Sequence, residues 1–258
     1  MTLKQYFGLV DVQARMALKA DASRYFLGYL WWIMEPLLYV ALFYIVFNVI
    51  LGSRRADFLI FLLCGKLPFL WFSKSVTQAS NSIISNAGLI GQIDVPKSLF
   101  PMAVIQEGVY KEASVFVLLI SAVLAYDYQP GWVWLWLVPI IAVNYLMIVG
   151  CGFLASILVC FLRDFSVVIP LGMIFLMFTS GIFWDVRALA NPQMTDLILT
   201  ANPIAFIVDA YRQVLMGGVS PQVTHLVAIA CGSCLLIAAT VFFFRGSSKL
   251  LSLKVLTA

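Results

Sequence analysis

Few residues in this chain have the type and spacing to do chemistry. Glu107 and Lys111 lie four apart, in the order that favours pairing on one helix face, and Glu112 follows directly. Such a cluster could pass a proton or hold a cation. A relay across a membrane also needs a second acidic cluster deep in another apolar segment, and the sequence offers none. Glu35 precedes Pro36, and Lys66 stands between Gly65 and Pro68, each inside an apolar run. Charges in that setting face a bundle interior, a pore or a partner. Cys231-Gly-Ser-Cys234 has redox spacing but lacks a strand–helix–strand context. Small residues packing one helix on another is the plainer reading. His225 is the single histidine, too little for a metal site. The one Gly-Lys pair, Gly65-Lys66, has Ile60 where a nucleotide-binding loop needs glycine. No nucleophile triad or paired-carboxylate site appears. The chain therefore reads as neither an enzyme nor a motor.

The elements that would carry these residues are membrane helices. The chain is 63% hydrophobic and 11% charged, with a mean hydropathy of +1.00. Soluble domains carry about 25% charged residues. Crossing about 30 Å of hydrocarbon takes roughly 20 apolar residues. Six stretches qualify: Leu27–Gly52, Phe58–Ser73, Glu107–Tyr126, Trp132–Leu162, Phe165–Trp184 and Leu226–Phe244. The short alternating segments of a β-barrel are missing. The expected fold is an all-α integral membrane protein with six transmembrane helices per protomer, occupying residues 27–258.

Residues 1–26 carry too many charges for a signal peptide. On a helical wheel Leu3, Tyr6, Phe7, Val10, Ala14, Ala17 and Leu18 share one face, opposite Lys4, Asp11, Arg15 and Lys19. That pattern suits an amphipathic helix in the cytoplasmic interface. With this end inside, Lys74, Lys97, Arg163, Arg245, Lys249 and Lys254 are also cytoplasmic, while Arg54, Arg55, Arg187 and Arg212 are outside. The asymmetry obeys the positive-inside rule, puts both termini in the cytoplasm, and explains the net charge of +4 without nucleic acid. Trp31, Trp32, Trp71, Trp132, Trp134, Trp136 and Trp184 fall near span ends. Interface belts account for most of them, though some could stack on sugar rings. Residues 79–101 form a patterned cytoplasmic connection. Residues 185–222 contain apolar pieces too short to cross, which fits outer re-entrant helices.

These segments together resemble the membrane subunit of type-2 ATP-binding-cassette exporters of O-antigen, capsular polysaccharide or teichoic acid. The resemblance rests on Leu27-Gly28 through Trp31-Trp32 with Glu35-Pro36, then Val95-Pro96-Lys97…Pro101 and Phe161-Leu162-Arg163-Asp164. Ser180-Gly181-Ile182-Phe183 and Asn202-Pro203-Ile204…Tyr211-Arg212 complete it, so that it runs from about residue 5 to 250. The resemblance implies a homodimer above two copies of a separate ATP-binding subunit, which would use ATP and Mg²⁺; this chain would bind no cofactor itself. Coupling to that subunit would run through Ser85, Asp94, Pro96, Arg163 and Asp164. A lipid-pyrophosphate-linked polysaccharide would enter from the cytoplasmic leaflet of a bacterial inner membrane. Arg15, Arg24, Trp31, Glu35, Trp71 and Lys97 are the candidates for its entrance or channel, and Asp209, Tyr211 and Arg212 for an outer gate. A generic positive-inside charge explains the cations equally well, and a local i, i+3 ion pair explains Asp209 with Arg212. Within transport, a drug or small-lipid exporter is the alternative. A stand-alone channel is the alternative of a different class.

Overall fold

In hydrocarbon every backbone polar group must be satisfied within the protein, which leaves helices as the economical choice for so apolar a chain. A computed structural model describes residues 2–50, 57–90, 92, 95–247, 250–251 and 254; Arg54, Arg55, Asp94 and Lys249 lie outside the described residues. Among the described residues the secondary structure is helical throughout. Helix α1 (Leu3–Arg24) begins in a capping box between Thr2 and Gln5 and ends at a turn containing Gly28, which leads into α2 (Trp31–Tyr44). The long helix α3 (Phe58–Ser85) is followed by the short α4 (Ala87–Ile90) and by α5 (Leu99–Ala125). Then come α6 (Leu137–Phe161), α7 (Phe165–Thr179), α8 (Pro192–Ala201), α9 (Pro203–Arg212) and α10 (Val223–Gly246).

Four helical segments are long and apolar enough to cross a bilayer: α3, α5, Trp132–Phe161 and α10. A fifth passage results if α1 and Gly28–Tyr44, bent by 99° from each other, are taken together. The expected span Phe165–Trp184 is shorter than the sequence suggests. Helix α7 stops at Thr179, about 22 Å long, because Gly181 takes a φ of +70° and breaks the run. The expected second span ends too early at Ser73, since α3 continues to Ser85. Its polar last turns stay helical because Ser75, Ala79, Ser80 and Ser82 are buried against neighbouring helices. The third span begins at Leu99 rather than Glu107, with Pro101 in the first turn, where a missing N–H costs nothing.

Helix α3 is the axis of the bundle, buried over most of its length between α5, α6 and α9. Gly152 of α6 makes that packing possible: a Cβ there would lie 3.0 Å from Ile105 Cδ1 and 3.3 Å from Ala79 Cβ. On α10 the small residue that packs inward is Ser233, beside Gly150 of α6. Cys231 and Cys234 are exposed on its outer side, so the cysteines themselves do not pack the helix pair.

The end of the bundle that holds the start of α3 and the turn after α7 is tied by Arg212, the buried last residue of α9. Its Nε donates to the Phe61 carbonyl at 3.1 Å, Nη1 to Gly181 at 2.6 Å and Nη2 to Ile182 at 2.7 Å. Its guanidinium also stacks over the Phe61 ring at 3.4 Å. Gly65 leaves the room: a Cβ there would sit 2.5 Å from Nη2. Arg212→Lys keeps the charge but loses the fork that reaches three carbonyls. It should cost about 3 kcal/mol, read as a lower unfolding midpoint in detergent. A midpoint equal to wild type would remove this tie from the account.

Candidate functional site: an aromatic cavity between α1, α2, α3 and α5

Helix α1 lies against α5 through its polar residues as much as its apolar ones. Val10 and Ala14 are buried, and the Tyr110 hydroxyl hydrogen-bonds Asp11. Farther along, Lys111 Nζ sits 2.7 Å from Asp21 and 2.8 Å from Glu107. Trp32 donates its indole N–H to Asp21 at 3.2 Å, and the Lys111 ammonium lies 5.6 Å from the Trp32 ring centre. The paired residues expected on α5 therefore reach across to α1 and the start of α2, where they fix the corner between the two. Burial pulls the Asp21 carboxyl up, but the hydrogen bond and charge of Lys111, with Trp32, hold it below the ordinary 3.8. Leu3, Phe7 and Met16 remain exposed on the other side of α1.

Inside that corner is a cavity of about 320 Å³. Tyr25, Trp31, Trp32 and Trp71 supply aromatic walls, and Glu35 closes one side through a 2.6 Å ion pair with Lys74. Tyr25 and Trp31 stack with ring centres 6.1 Å apart. The floor holds Glu112, buried, with Oε1 unpartnered, and Trp71, whose indole N–H is also unpartnered among the described residues. Gly108 lets α5 come close here, since a Cβ would meet Ser75 Oγ at 2.6 Å. Flat aromatic faces of this kind match the C–H faces of a sugar ring.

Three of the expected entrance residues, Trp31, Glu35 and Trp71, meet in this cavity. Trp71 is not at a span end: it lies mid-way along α3 and is buried, because α3 is longer than hydropathy suggested. Arg15 is exposed on α1 and pairs with Asp11 at 2.9 Å, and Arg24 is exposed at the end of α1; neither lines the cavity. Lys97 is buried in a different groove, against the start of α1 and α10. The sequence reading missed Asp21, Trp32, Lys74 and Glu112 as wall residues. The charged cluster on α5 was the available signal, but its partners on α1 and α3 are remote in sequence.

The coupling candidates Ser85, Pro96, Arg163 and Asp164 are all exposed, at the α3 end, before α5 and in the α6–α7 turn. Asp94 lies outside the described residues. The outer trio is arranged differently from expectation. Asp209 is gripped by Arg187, 22 residues away, with Nη2 to Oδ2 at 2.8 Å, and takes a further bond from Gln213. Arg212 serves the carbonyls described above, so a local pair with Asp209 is not what holds either residue. Tyr211 is fully buried, 5.9 Å from Phe116 between ring centres. Lys66 does not reach water. Its ammonium lies 2.7 Å from Met177 Sδ and within 5.8 Å of the Tyr39, Phe43 and Phe69 ring centres, a cage joining α2, α3 and α7.

No protein-family model matches this sequence. It is 30% identical over 215 residues to the O-antigen export system permease protein RfbA of Klebsiella pneumoniae, covering 83% of this chain and 82% of that one. The protein of the same name from Myxococcus xanthus is 22% identical over 243 residues, 94% of each chain. The polysialic acid transport protein KpsM of Escherichia coli is 26% identical over 201 residues, 76% of each chain.

Removing the Asp21 charge should loosen the corner. Asp21→Asn is expected to cost about 1 kcal/mol locally, about a five-fold rise in amide exchange along α1. Because the Asp21 pKa is lowered on docking, its contribution is complete above 3.8 and disappears as pH falls below that value. Hydrogen exchange with intrinsic rates corrected for pH checks both statements. Unchanged exchange in Asp21→Asn at neutral pH would count against the corner.

Proposed function

This chain belongs to the family of O-antigen export permeases, the membrane subunits of ATP-binding-cassette polysaccharide exporters, and on that footing we propose that its aromatic cavity admits a lipid-linked O-antigen. Continuous similarity over four-fifths of both chains carries the assignment to the family. Permeases of this kind move polysaccharide across the inner membrane and are not themselves enzymes. ATP and Mg²⁺ are used by a separate ATP-binding subunit, two copies of which serve two copies of this chain. Both termini face the cytoplasm, in keeping with the charge asymmetry.

Six passages complete each protomer, with α2 extended through Ile45–Ile50 and α7 extended through the 180–184 turn. Helix α1 rests in the cytoplasmic interface. The 99° bend into Gly28–Tyr44 and the exposed Leu3, Phe7 and Met16 support that reading. Helices α8 and α9, about 15 Å each, dip in from the outside and return. Helix α7 buries none of its residues and exposes Val167, Leu171, Ile174, Phe175 and Phe178, an apolar surface suited to a second copy.

Sugar rings entering the cavity would stack on Trp31 and Trp32 and meet Glu112 and the Trp71 N–H below. The closing ion pair Glu35–Lys74 can admit or block them. Arg15 and Arg24 on α1 supply cations for the pyrophosphate. Force from the ATP-binding subunit would arrive at Ser85, Pro96 and the Arg163-Asp164 turn, with Asp94 in the same connection. Helix α3 joins Ser85 to the cavity wall at Trp71 as one rigid element. The similarity to a polysialic acid transport protein supports a second reading, in which the cargo is a capsular glycan.

Affinity purification of the tagged chain should bring down an ATP-binding subunit. Arg163→Glu or Asp164→Lys should abolish surface polysaccharide while leaving the protein inserted at wild-type abundance. Wild-type polysaccharide in both variants would discard this contact. Trp31→Ala should slow export more than it lowers abundance. Equal falls in the two would return Trp31 to a purely interfacial role.

A further inference from the structure

A second groove, of about 700 Å³, opens between the start of α1, residues 95–98, α6 and α10. Its character differs from the aromatic cavity. Met102, Phe153, Ile237, Val241 and Phe244 give it aliphatic and phenyl walls. Into this apolar lining is set Lys97, only 4% exposed, with no hydrogen bond or ion pair among the described residues. An ammonium removed from water without a counter-charge is strongly disfavoured. The other charged residue of the lining is also a cation: Arg245, in the last turn of α10, exposed and likewise unpaired among the described residues. The N-terminus of α5 lies at the same corner, where Ser98 makes no side-chain cap, so the positive end of that helix adds to the field.

Two cations and a helix N-terminus along an apolar groove call for an amphiphile with an anionic head. We infer that the groove seats an anionic phospholipid of the bilayer. Its phosphate lies between Lys97 and Arg245, and an acyl chain runs along Phe153, Ile237, Val241 and Phe244. The lipid supplies a counter-charge to Lys97, which has none among the described residues. It also fastens the start of α1 and the 95–98 connection to α10, beside the segment proposed to meet the ATP-binding subunit. The inference rests on the membrane character of the chain and not on its cargo, so a failed export assay and a failed lipid assay are separable results.

Native mass spectrometry of the full-length protein in detergent tests it, with phosphatidylglycerol, phosphatidylcholine of the same acyl chains and a polyisoprenyl phosphate as probes. Wild type should hold one phosphatidylglycerol per protomer about ten-fold more tightly than phosphatidylcholine. Lys97→Met should erase that preference, and Arg245→Gln should reduce it. Val241→Trp, which fills the groove and keeps both cations, should weaken phosphatidylglycerol binding. If Lys97→Met does not fold, the other two variants decide. Equal binding of the two phospholipids by wild type, or a preference untouched by the variants, would overturn the inference. Polyisoprenyl phosphate outcompeting phosphatidylglycerol would overturn it as well, by giving the groove to the carrier lipid.

Discussion

The outer half of the bundle depends on one buried guanidinium. Arg212 reaches two segments that are remote in sequence, donating one hydrogen bond to a carbonyl near the start of α3 and two to carbonyls of the turn after α7. The Gly181 and Ile182 carbonyls lie just beyond the end of α7, where hydrocarbon would leave them unsatisfied. The cation's burial cost and the backbone's need are met by the same contacts. Gly65 and Gly181 are then fixed by necessity, one by the absence of space for a Cβ and the other by its positive φ. Through Arg212 helix α9 is seated wholly inside the protein, and the nearby Asp209–Arg187 pair holds the loop before α8 against it.

Elsewhere in the bundle the same logic is applied with side chains. Lys111 answers both Asp21 and Glu107, Lys74 answers Glu35, and Lys66 is wrapped by three rings and a thioether. The intramembrane charges, which the sequence does not assemble into a proton relay, are distributed as separate fastenings between helices. What they leave over is informative: among the described residues Glu112 Oε1 and the Trp71 N–H, both on residues that line the aromatic cavity, have no partner, and neither does Lys97 in the groove beside α10.

Much of this was legible in the sequence. Long apolar runs gave the helical class and the approximate place of each span, because the bilayer imposes a length and an apolar composition. Their ends were less legible. Helix α3 keeps its polar last turns because tertiary burial, not hydropathy, decides there, and α7 stops early because Gly181 turns the chain. Trp31 and Glu35 could be picked as cavity residues from their place at the start of the first span. Asp21 and Lys74 could not, since only the fold brings α1 and α3 together. Arg187 with Asp209 is of the same kind: two residues 22 apart, with no periodicity to betray them.

The central claim is that this chain is the conduit of an O-antigen exporter. Deleting its gene in the source bacterium and examining surface lipopolysaccharide, capsule and lipid-linked glycan separately tests that most directly. Long O-chains should vanish from the surface, lipid-linked O-antigen should accumulate on the cytoplasmic side of the inner membrane, and capsule should be unchanged. Full-length O-chains still present at the surface of the deletion strain, with no accumulated intermediate, would contradict it.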